Sequence, residues 1–292
     1  MLDKILVPID LSTENELVLN FVVGLKSMGL KDIHLVHVLG VARVSTRPVK
    51  DEIQGQVAER LSEIGKIAEE NGIGVHNEIL EGKVDDEIID FAEHKNISMI
   101  VTGSHGKSAI NEILTGSVSE GLARKSKIPI LVLHYDYLKK IKKEALYKKA
   151  VDLFKKVLIT IDFTDVSKVA IDYSSKLVKA GLKEAIILHS IDKKRIESNE
   201  EKLKLLQKCK EKTEKYATNL EEAGAAATAI CRIGVPLKEI GDLAEEEDVS
   251  LIITGSQGKG IFREFASGSV SMKVLRSASR PLMLIQENNK FI

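Results

Sequence analysis

The chain has 292 residues, enough for two ordinary domains, and its 43% hydrophobic and 29% charged residues are typical of a soluble globular protein. Lys and Arg together number 43, and so do Asp and Glu, so the formal net charge is zero and argues against a nucleic-acid partner. No stretch approaches the roughly 20 apolar residues that a membrane span needs, so we expect no membrane partner either.

In chain order, the first half alternates between strand and helix signals. Apolar runs predict strands over residues 5–9, 33–39, 75–80, 98–102 and 130–134. Apolar residues at helical spacing predict helices over 17–28, within about 51–71, over 85–94 and from 117. Thr13 and Glu16 predict a capping box for the first helix, and Asp165 is the expected cap of the equivalent helix in the second half.

The second half repeats the first at a constant offset. Residues 4–10 return as 156–162, residues 98–104 as 250–256, and residues 116–119 as 268–271, always 152 positions apart. A repeat of this length is a domain, so we predict one domain over 1–140 and its second copy over 150–292. The lysine-rich stretch 141–149 is the expected helical linker, with its lysines on a solvated face rather than forming an acidic-surface or membrane patch.

Five alternations of strand and helix predict an α/β fold, because parallel strands need crossover connections. We therefore predict two tandem doubly wound, five-stranded parallel sheets of the Rossmann-like or flavodoxin-like kind, each in the order 3-2-1-4-5. In such a sheet ligands bind where the strand order reverses, beyond the carboxyl ends of the first and fourth strands. Asp10 and Gly103 lie at those two ends in the first copy, and Asp162 and Gly255 in the second.

A glycine loop follows the fourth strand in both copies. Gly103 and Gly106 are followed, after nine residues, by a Gly-Ser pair at 116–117, and the second copy keeps this spacing from Gly255. Glycines let a ligand approach the main chain, and the helix N-terminus that follows favours phosphate. These residues have a plainer interpretation as tight turns and a helix cap, but the repetition at the switch point favours the phosphate site. A P-loop is excluded, since it would need a glycine where Val101 stands.

These motifs resemble those of the universal stress proteins, in their ATP-binding branch, and the resemblance covers almost the whole chain, once per copy. It implies that each copy binds ATP or AMP, with Mg²⁺ as a possible companion of ATP, and that the copies pair through their last strands as a pseudo-dimer, with a homodimer as a further option. The residues it places at the nucleotide are Pro8, Ile9, Asp10, Val38, Thr102, Gly103, Gly106, Gly116, Ser117, Val118 and Ser119 in the first copy, and Thr160, Ile161, Asp162, Ser190, Thr254, Gly255, Gly258, Gly268, Ser269, Val270 and Ser271 in the second. Thr160 in place of Pro8 is a departure that would make the two sites unequal.

Three functions stay open at this point: a nucleotide-binding regulatory or sensor protein with little or no turnover, a slow ATPase or nucleotidyl-transfer enzyme, and a scaffold with empty sites. His37 and His189 recur at strand ends, but packing explains them better than catalysis, because no cysteine or carboxylate recurs beside them at a matching spacing. We expect no catalytic residue and no metal site of the protein's own. We favour the regulatory protein.

Cysteine usage and the first residues bear on location. Charges at Asp3 and Lys4 and a short apolar run argue against a signal peptide. Cys209 and Cys231 are the only cysteines, with neither zinc-ligand spacing nor a disulfide framework. We therefore expect a reducing compartment, the cytoplasm.

Overall fold

The computed structural model describes residues 2–40, 47–104, 117–193, 198–256 and 270–286, without the side chains of 47–49 and 117. The chain divides after Val151 into two compact units. No helix among the described residues is long and apolar enough to cross a membrane.

The first unit contains a parallel sheet with helices between its strands. Its strands are Lys4–Pro8 (β1), Asp32–Leu39 (β2), Gly74–Glu81 (β3), Met99–Ser104 (β4) and Ile130–His134 (β5). Its helices are Asn15–Val22 (α1), Arg47–Glu69 (α2), Val84–His94 (α3), Ser117–Lys125 (α4), Tyr135–Leu138 (α5) and Lys143–Val151 (α6), and a 3₁₀ helix over Val23–Met28 continues α1. The strands pair in the order β3-β2-β1-β4-β5, and every pair is parallel.

The second unit has the same plan. Its strands are Lys156–Thr160 (β6), Glu184–Ile191 (β7), Ala226–Ile233 (β8), Leu251–Gly255 (β9) and Leu282–Ile285 (β10). Its helices are Asp165–Leu177 (α7), Asn199–Glu222 (α8), Pro236–Glu246 (α9) and Val270–Ser277 (α10), with a 3₁₀ helix over Val178–Ala180. The strands pair in the order β8-β7-β6-β9-β10, again all parallel. The prediction of two tandem α/β domains is confirmed.

The core of each unit lies on both faces of its sheet. Ile5, Leu6 and Val7 are consecutive in β1 and are all fully buried, as are Val157, Leu158 and Ile159 in β6. A strand that is apolar on successive residues needs cover on both faces, and the crossover helices supply it. The continuous apolar runs in the sequence therefore mark the central strands.

The segment expected as a linker, residues 141–149, belongs to the first unit. Helix α6 packs against α1 and the 3₁₀ helix that follows it. Leu146 and Ala150 are fully buried there, and Gly24 lies so close to Ala150 that a side chain at position 24 would clash. The lysines of α6 are exposed. Helix α6 is therefore the last helix of the first unit, and its apolar face packs on that unit.

Both predicted helix caps are wrong. The Thr13 hydroxyl donates to the Glu14 carboxylate at 3.3 Å, and α1 begins without a side-chain cap. Asp165 is already the first residue of α7, where it pairs with Lys168 at 3.0 Å. The amides at these helix starts donate to backbone carbonyls instead, that of Glu16 to Thr13 and those of Ser167 and Lys168 to Thr164.

The structure contains one disulfide among its described residues, although the sequence shows no disulfide framework. Cys209 in α8 and Cys231 in β8 are bonded, 22 positions apart in the sequence. Helix α8 packs along β8, and this packing brings the two cysteines together. Their spacing alone does not indicate the contact.

Candidate functional site

Asp10 organises the loop that leaves β1. Its Oδ1 accepts the Ser12 amide at 3.0 Å and the Asn15 side-chain amide at 2.7 Å. Partial desolvation raises the pKa of this carboxyl, but the hydrogen bonds from Ser12 and Asn15 outweigh it, and the pKa is lowered on balance. Asp10 is therefore ionised at neutral pH.

Asp162 does the same after β6 with other donors. Its Oδ1 accepts the Thr164 amide at 3.0 Å, the Thr164 hydroxyl at 2.5 Å and the Ser167 hydroxyl at 2.8 Å. Ser167 occupies the repeat position of Asn15. Two different sets of polar side chains thus hold the two aspartates by the same oxygen.

The residue after each aspartate has an unusual backbone. Leu11 has φ of 67° and Phe163 has φ of 63°, and both are non-glycine residues in the left-handed region. That conformation costs free energy for a residue with a Cβ and persists only where the surroundings impose it. The left-handed conformation occurs in both units, which indicates that the shape of this loop is functionally important.

His37 and His189 fix the strand ends from the neighbouring strand. The Nδ1 of His37 lies 2.7 Å from the carbonyl oxygen of Ile9, and that of His189 lies 2.8 Å from the carbonyl oxygen of Ile161. A carbonyl oxygen only accepts, so Nδ1 carries the proton and donates in both cases. The two rings therefore position the peptides directly before Asp10 and Asp162.

The end of the fourth strand is packed differently in the two units. In the first, the ring of Tyr135 lies against Gly103, where any side chain at position 103 would collide with it. In the second, a Cβ at Gly255 would lie 2.5 Å from the Cγ1 of Val166, in the first turn of α7. A glycine is therefore required at both strand ends by packing alone, which the sequence motif did not reveal.

The pairing between the first and fourth strands differs in length between the two units, because the first has Pro8 where the second has Thr160. The β1–β4 register extends only from Ile5 to Leu6, whereas the β6–β9 register extends from Val157 to Thr160, opposite Thr254. The Ile9 amide donates to β2, and successive amides of a strand point to opposite sides, so position 8 faces β4. Proline has no hydrogen to donate there. The first unit therefore has the shorter ladder at its switch point.

The remaining predicted residues are placed as follows. Val38 and Ser190 lie near the ends of β2 and β7 and are half-buried, as are Val118 and Val270 in the first turns of α4 and α10. The Ser119 hydroxyl donates to the Gly103 carbonyl at 3.5 Å, and the Ser271 hydroxyl to the Ser256 carbonyl at 3.4 Å. Thr102 and Thr254 are buried at the ends of their strands. Ser117 begins α4, and the residues that lie outside the described parts of the chain are Gly106, Gly116, Gly258, Gly268 and Ser269.

Two buried hydroxyls at this edge of the second unit lack a partner. The Oγ of Ser190 and the Oγ of Ser256 are buried and form no hydrogen bond with any residue that the structure describes. A buried polar atom without a partner costs free energy, so such atoms need an explanation. Across the described ranges, no three His, Cys, Asp or Glu side chains are grouped to hold a metal ion.

Sequence reasoning missed the aromatic residues around these loops. The Phe163 ring packs on the His189 ring in a tilted orientation with centroids 4.3 Å apart, and the Tyr216 ring of α8 lies nearly parallel to the Phe163 ring at 6.3 Å. Tyr135 is almost fully buried beside the Asp10 loop. The position of Phe163 directly after Asp162 was the one available signal, since Tyr135 and Tyr216 come from distant helices.

Comparison with known proteins agrees with this arrangement. The universal stress protein family matches residues 1–134 and again residues 153–286. A universal stress protein of Mycolicibacterium smegmatis is 26% identical over 97% of this chain and 96% of its own length, and one of Bacillus subtilis is 33% identical over 46% of this chain and its whole length. The crystal structure of a universal stress protein from Archaeoglobus fulgidus superposes with a TM-score of 0.74 and 26% identity, covering 98% of this chain and 99% of that one. The chain therefore belongs to the universal stress protein family, with two tandem domains of that family.

Proposed function

We propose that this chain binds an adenine nucleotide, ATP or AMP, at the carboxyl edge of each sheet, and acts as a cytoplasmic regulatory or sensor protein with little or no turnover. The observation that carries the proposal is the repeated aspartate loop, in which Oδ1 of Asp10 and Oδ1 of Asp162 each accept the backbone amide two residues on, and each aspartate is followed by a left-handed residue. Such strain, repeated where ligands bind in this kind of sheet, indicates a binding loop.

The described residues fit an adenine nucleotide. A carboxylate has more acceptor positions than the bonds at Oδ1 use, and it suits an exocyclic amino group or a ribose hydroxyl. The unpartnered hydroxyls of Ser190 and Ser256 lie at the same edge of the second unit. The first turns of α4 and α10 have backbone amides without intrahelical partners, and these favour an anion, so we expect the phosphates there. The bound nucleotide would supply the charge that helix and loop recognise, and Mg²⁺ would accompany ATP through its phosphates.

The glycine loops provide the test. Gly116→Val should remove binding in the first unit and Gly268→Val in the second, because a branched side chain would stand where phosphates approach the main chain. After any resident nucleotide is stripped, calorimetric titration with ATP should give about two sites per chain in the wild type, about one in each single variant and none in the double variant. Full stoichiometry in a folded double variant would overturn the proposal.

Turnover distinguishes the regulatory protein from the alternative, a slow ATPase or nucleotidyl-transfer enzyme. We expect steady-state ATP hydrolysis far below the typical enzyme rate of about 10 s⁻¹. Robust hydrolysis that disappears when Asp10 and Asp162 are both replaced would establish the enzyme instead. Identification of the nucleotide released from denatured protein would show which ligand is resident.

A further inference from the structure

The disulfide lies within the second unit at the edge strand of its sheet. Cys209 in α8 is 4% exposed, whereas Cys231 in β8 is half-buried, and their Cα atoms are 6.3 Å apart. The Thr213 hydroxyl oxygen lies 3.8 Å from the Cys209 sulfur and 3.6 Å from the Cys231 sulfur. Cys231 is therefore the more exposed residue of the pair and the expected point of attack by a small reagent.

The helix held by this bond also covers the candidate site. Lys212 and Tyr216 follow Cys209 by three and seven positions, so all three lie on one face of α8. The Nζ of Lys212 is 5.2 Å from the centroid of the Phe163 ring, and the Tyr216 ring is 6.3 Å from it. Phe163 is the left-handed residue directly after Asp162. The bond thus fixes a helix whose side chains pack on the aspartate loop.

A second set of contacts connects Phe163 to the disulfide through the sheet. Phe163 packs on His189 at 4.3 Å, and His189 is the register partner of Cys231 in the parallel β7–β8 pair. His189 also holds the carbonyl of Ile161 at 2.8 Å. The disulfide, α8, the aspartate loop and β8 therefore form one closed chain of contacts.

The first unit has no such circuit. Its residues at the two cysteine positions are Val57 and Ile79, and Leu11 replaces the phenylalanine. At the position of Lys212 it has Arg60, which pairs with Glu16 at 2.9 Å instead of covering a ring. The disulfide is thus an addition specific to the second unit.

We propose that Cys209 and Cys231 are a reversible thiol–disulfide exchange site for low-molecular-weight thiols, whose redox state sets how firmly α8 holds Phe163 and the Asp162 loop. A thiolate of the small thiol attacks the Cys231 sulfur, and the sulfur–sulfur bond breaks to release Cys209 as a thiolate, which takes a proton. A second small thiol attacks the mixed disulfide, releasing the Cys231 thiol and the small molecule's own disulfide. Two electrons pass to the protein, and the small disulfide reverses both steps.

Thiol counting and hydrogen exchange on the full chain test this directly. In native buffer we expect no reactive thiol after treatment with oxidised glutathione and two after treatment with reduced glutathione, with full reversal. Amides of α8 around Cys209 should exchange about tenfold faster in the reduced protein. The Cys209→Val/Cys231→Ile double variant, which carries the residues of the first unit, should exchange identically under both treatments. The inference would be overturned if the cysteines reacted with glutathione only in denaturant. It would also be overturned if the amide hydrogen exchange of α8 were the same in the oxidised and reduced protein.

The effect on the site rests on the proposed function and needs a second measurement. With the first unit blocked by Gly116→Val, ATP affinity should fall about threefold to tenfold on reduction, because α8 holds the loop less firmly. The Val/Ile double variant should lose this redox dependence. Equal ATP affinity in both redox states would overturn the link to the loop. If neither state binds ATP, the proposed function fails, while the thiol counts and α8 exchange still decide the exchange site.

Discussion

The ring of Tyr135 lies directly on Gly103, so that the first helix after β5 closes over the end of β4. A side-chain hydrogen bond joins the Tyr135 hydroxyl to Ser12, whose amide Asp10 accepts. Burial, together with the charge of Asp10, raises the pKa of Tyr135 well above its usual range, so the hydroxyl keeps its proton. The segment that leaves the first sheet is thereby tied to the candidate site.

Gly103→Ala should destabilise the first unit by about 1–3 kcal/mol, because the new methyl group would displace the Tyr135 ring. Gly241→Ala in α9 is the matched control, since nothing lies within 4 Å of a Cβ at that position. It should stabilise the second unit by roughly 0.5–1 kcal/mol, the helix propensity difference. Urea unfolding of both variants measures the changes. If Gly103→Ala unfolded with the same free energy as the wild type, the Tyr135 ring would move aside without cost.

Thr160→Pro should shorten the β6–β9 ladder to the extent seen in the first unit. The lost hydrogen bond, at a buried strand, should cost about 1–3 kcal/mol of unfolding free energy. The reciprocal variant, Pro8→Thr, restores a donor facing β4 and should leave the first unit equally or more stable. Chemical unfolding followed by hydrogen exchange at residues 251–255 checks both. A neutral Thr160→Pro would show that the extra ladder contributes nothing.

Asp10→Asn and Asp162→Asn separate the charge of the site from the shape of its loop. Asparagine can still accept the loop amides through Oδ1, so the folded structure should be kept, while the acceptor charge is lost. If the proposed function holds, nucleotide affinity at the altered unit should fall at least about tenfold, as expected for loss of a charge-assisted hydrogen bond. Calorimetry in the Gly268→Val or Gly116→Val background assigns the loss to one unit. Unchanged affinity would remove the aspartates from the site.

His34 gives the first unit an acid sensitivity that the second lacks at this position. It is 5% exposed, its Nδ1 has no hydrogen-bond partner among the described residues, and its ring stacks on His76 at 4.6 Å. Burial, with the electrostatic effects of His76, Lys4 and Lys95, outweighs the opposing charge of Asp32 and lowers the pKa of His34 to about 4. An unfolded chain titrates this group near 6.5.

Between pH 6.5 and 4, the unfolded chain therefore binds a proton that the folded unit does not bind. The free energy of unfolding of the first unit is therefore undiminished by His34 above pH 6.5, and it falls as the pH drops through this window. His34→Ile, which introduces the residue found at Ile186 in the second unit, should flatten this fall. Calorimetric melting from pH 7 to pH 4.5 should show a smaller drop in Tm for the variant than for the wild type. Parallel curves would show that His34 does not govern the acid response.

Pairing of the two domains through their last strands stays a prediction, motivated by the constant repeat offset. Small-angle scattering should give a radius of gyration of about 19–21 Å, the value for one body of this length. A clearly larger radius with a two-lobed distance distribution would indicate separated domains.

The sequence alone determined the two domains, the order of their elements and the edge where the candidate site lies. The strand predicted over 130–134 matches β5, and that over 33–39 differs from β2 by one residue. This works because a buried central strand needs a continuous apolar run, and because parallel strands all end at one edge of their sheet. Because the repeat offset is constant, the same strand and helix predictions apply to the second domain.

Only the tertiary structure decided which side chains meet around that edge. Tyr135 reaches Gly103 from a helix beyond β5, and Cys209 meets Cys231 because α8 lies along β8. Thr13 does not cap α1, because the Glu16 amide donates to the Thr13 backbone carbonyl instead of its side chain. Local sequence patterns reflect burial and propensity, which act over a few residues, whereas these contacts depend on how whole elements pack against one another.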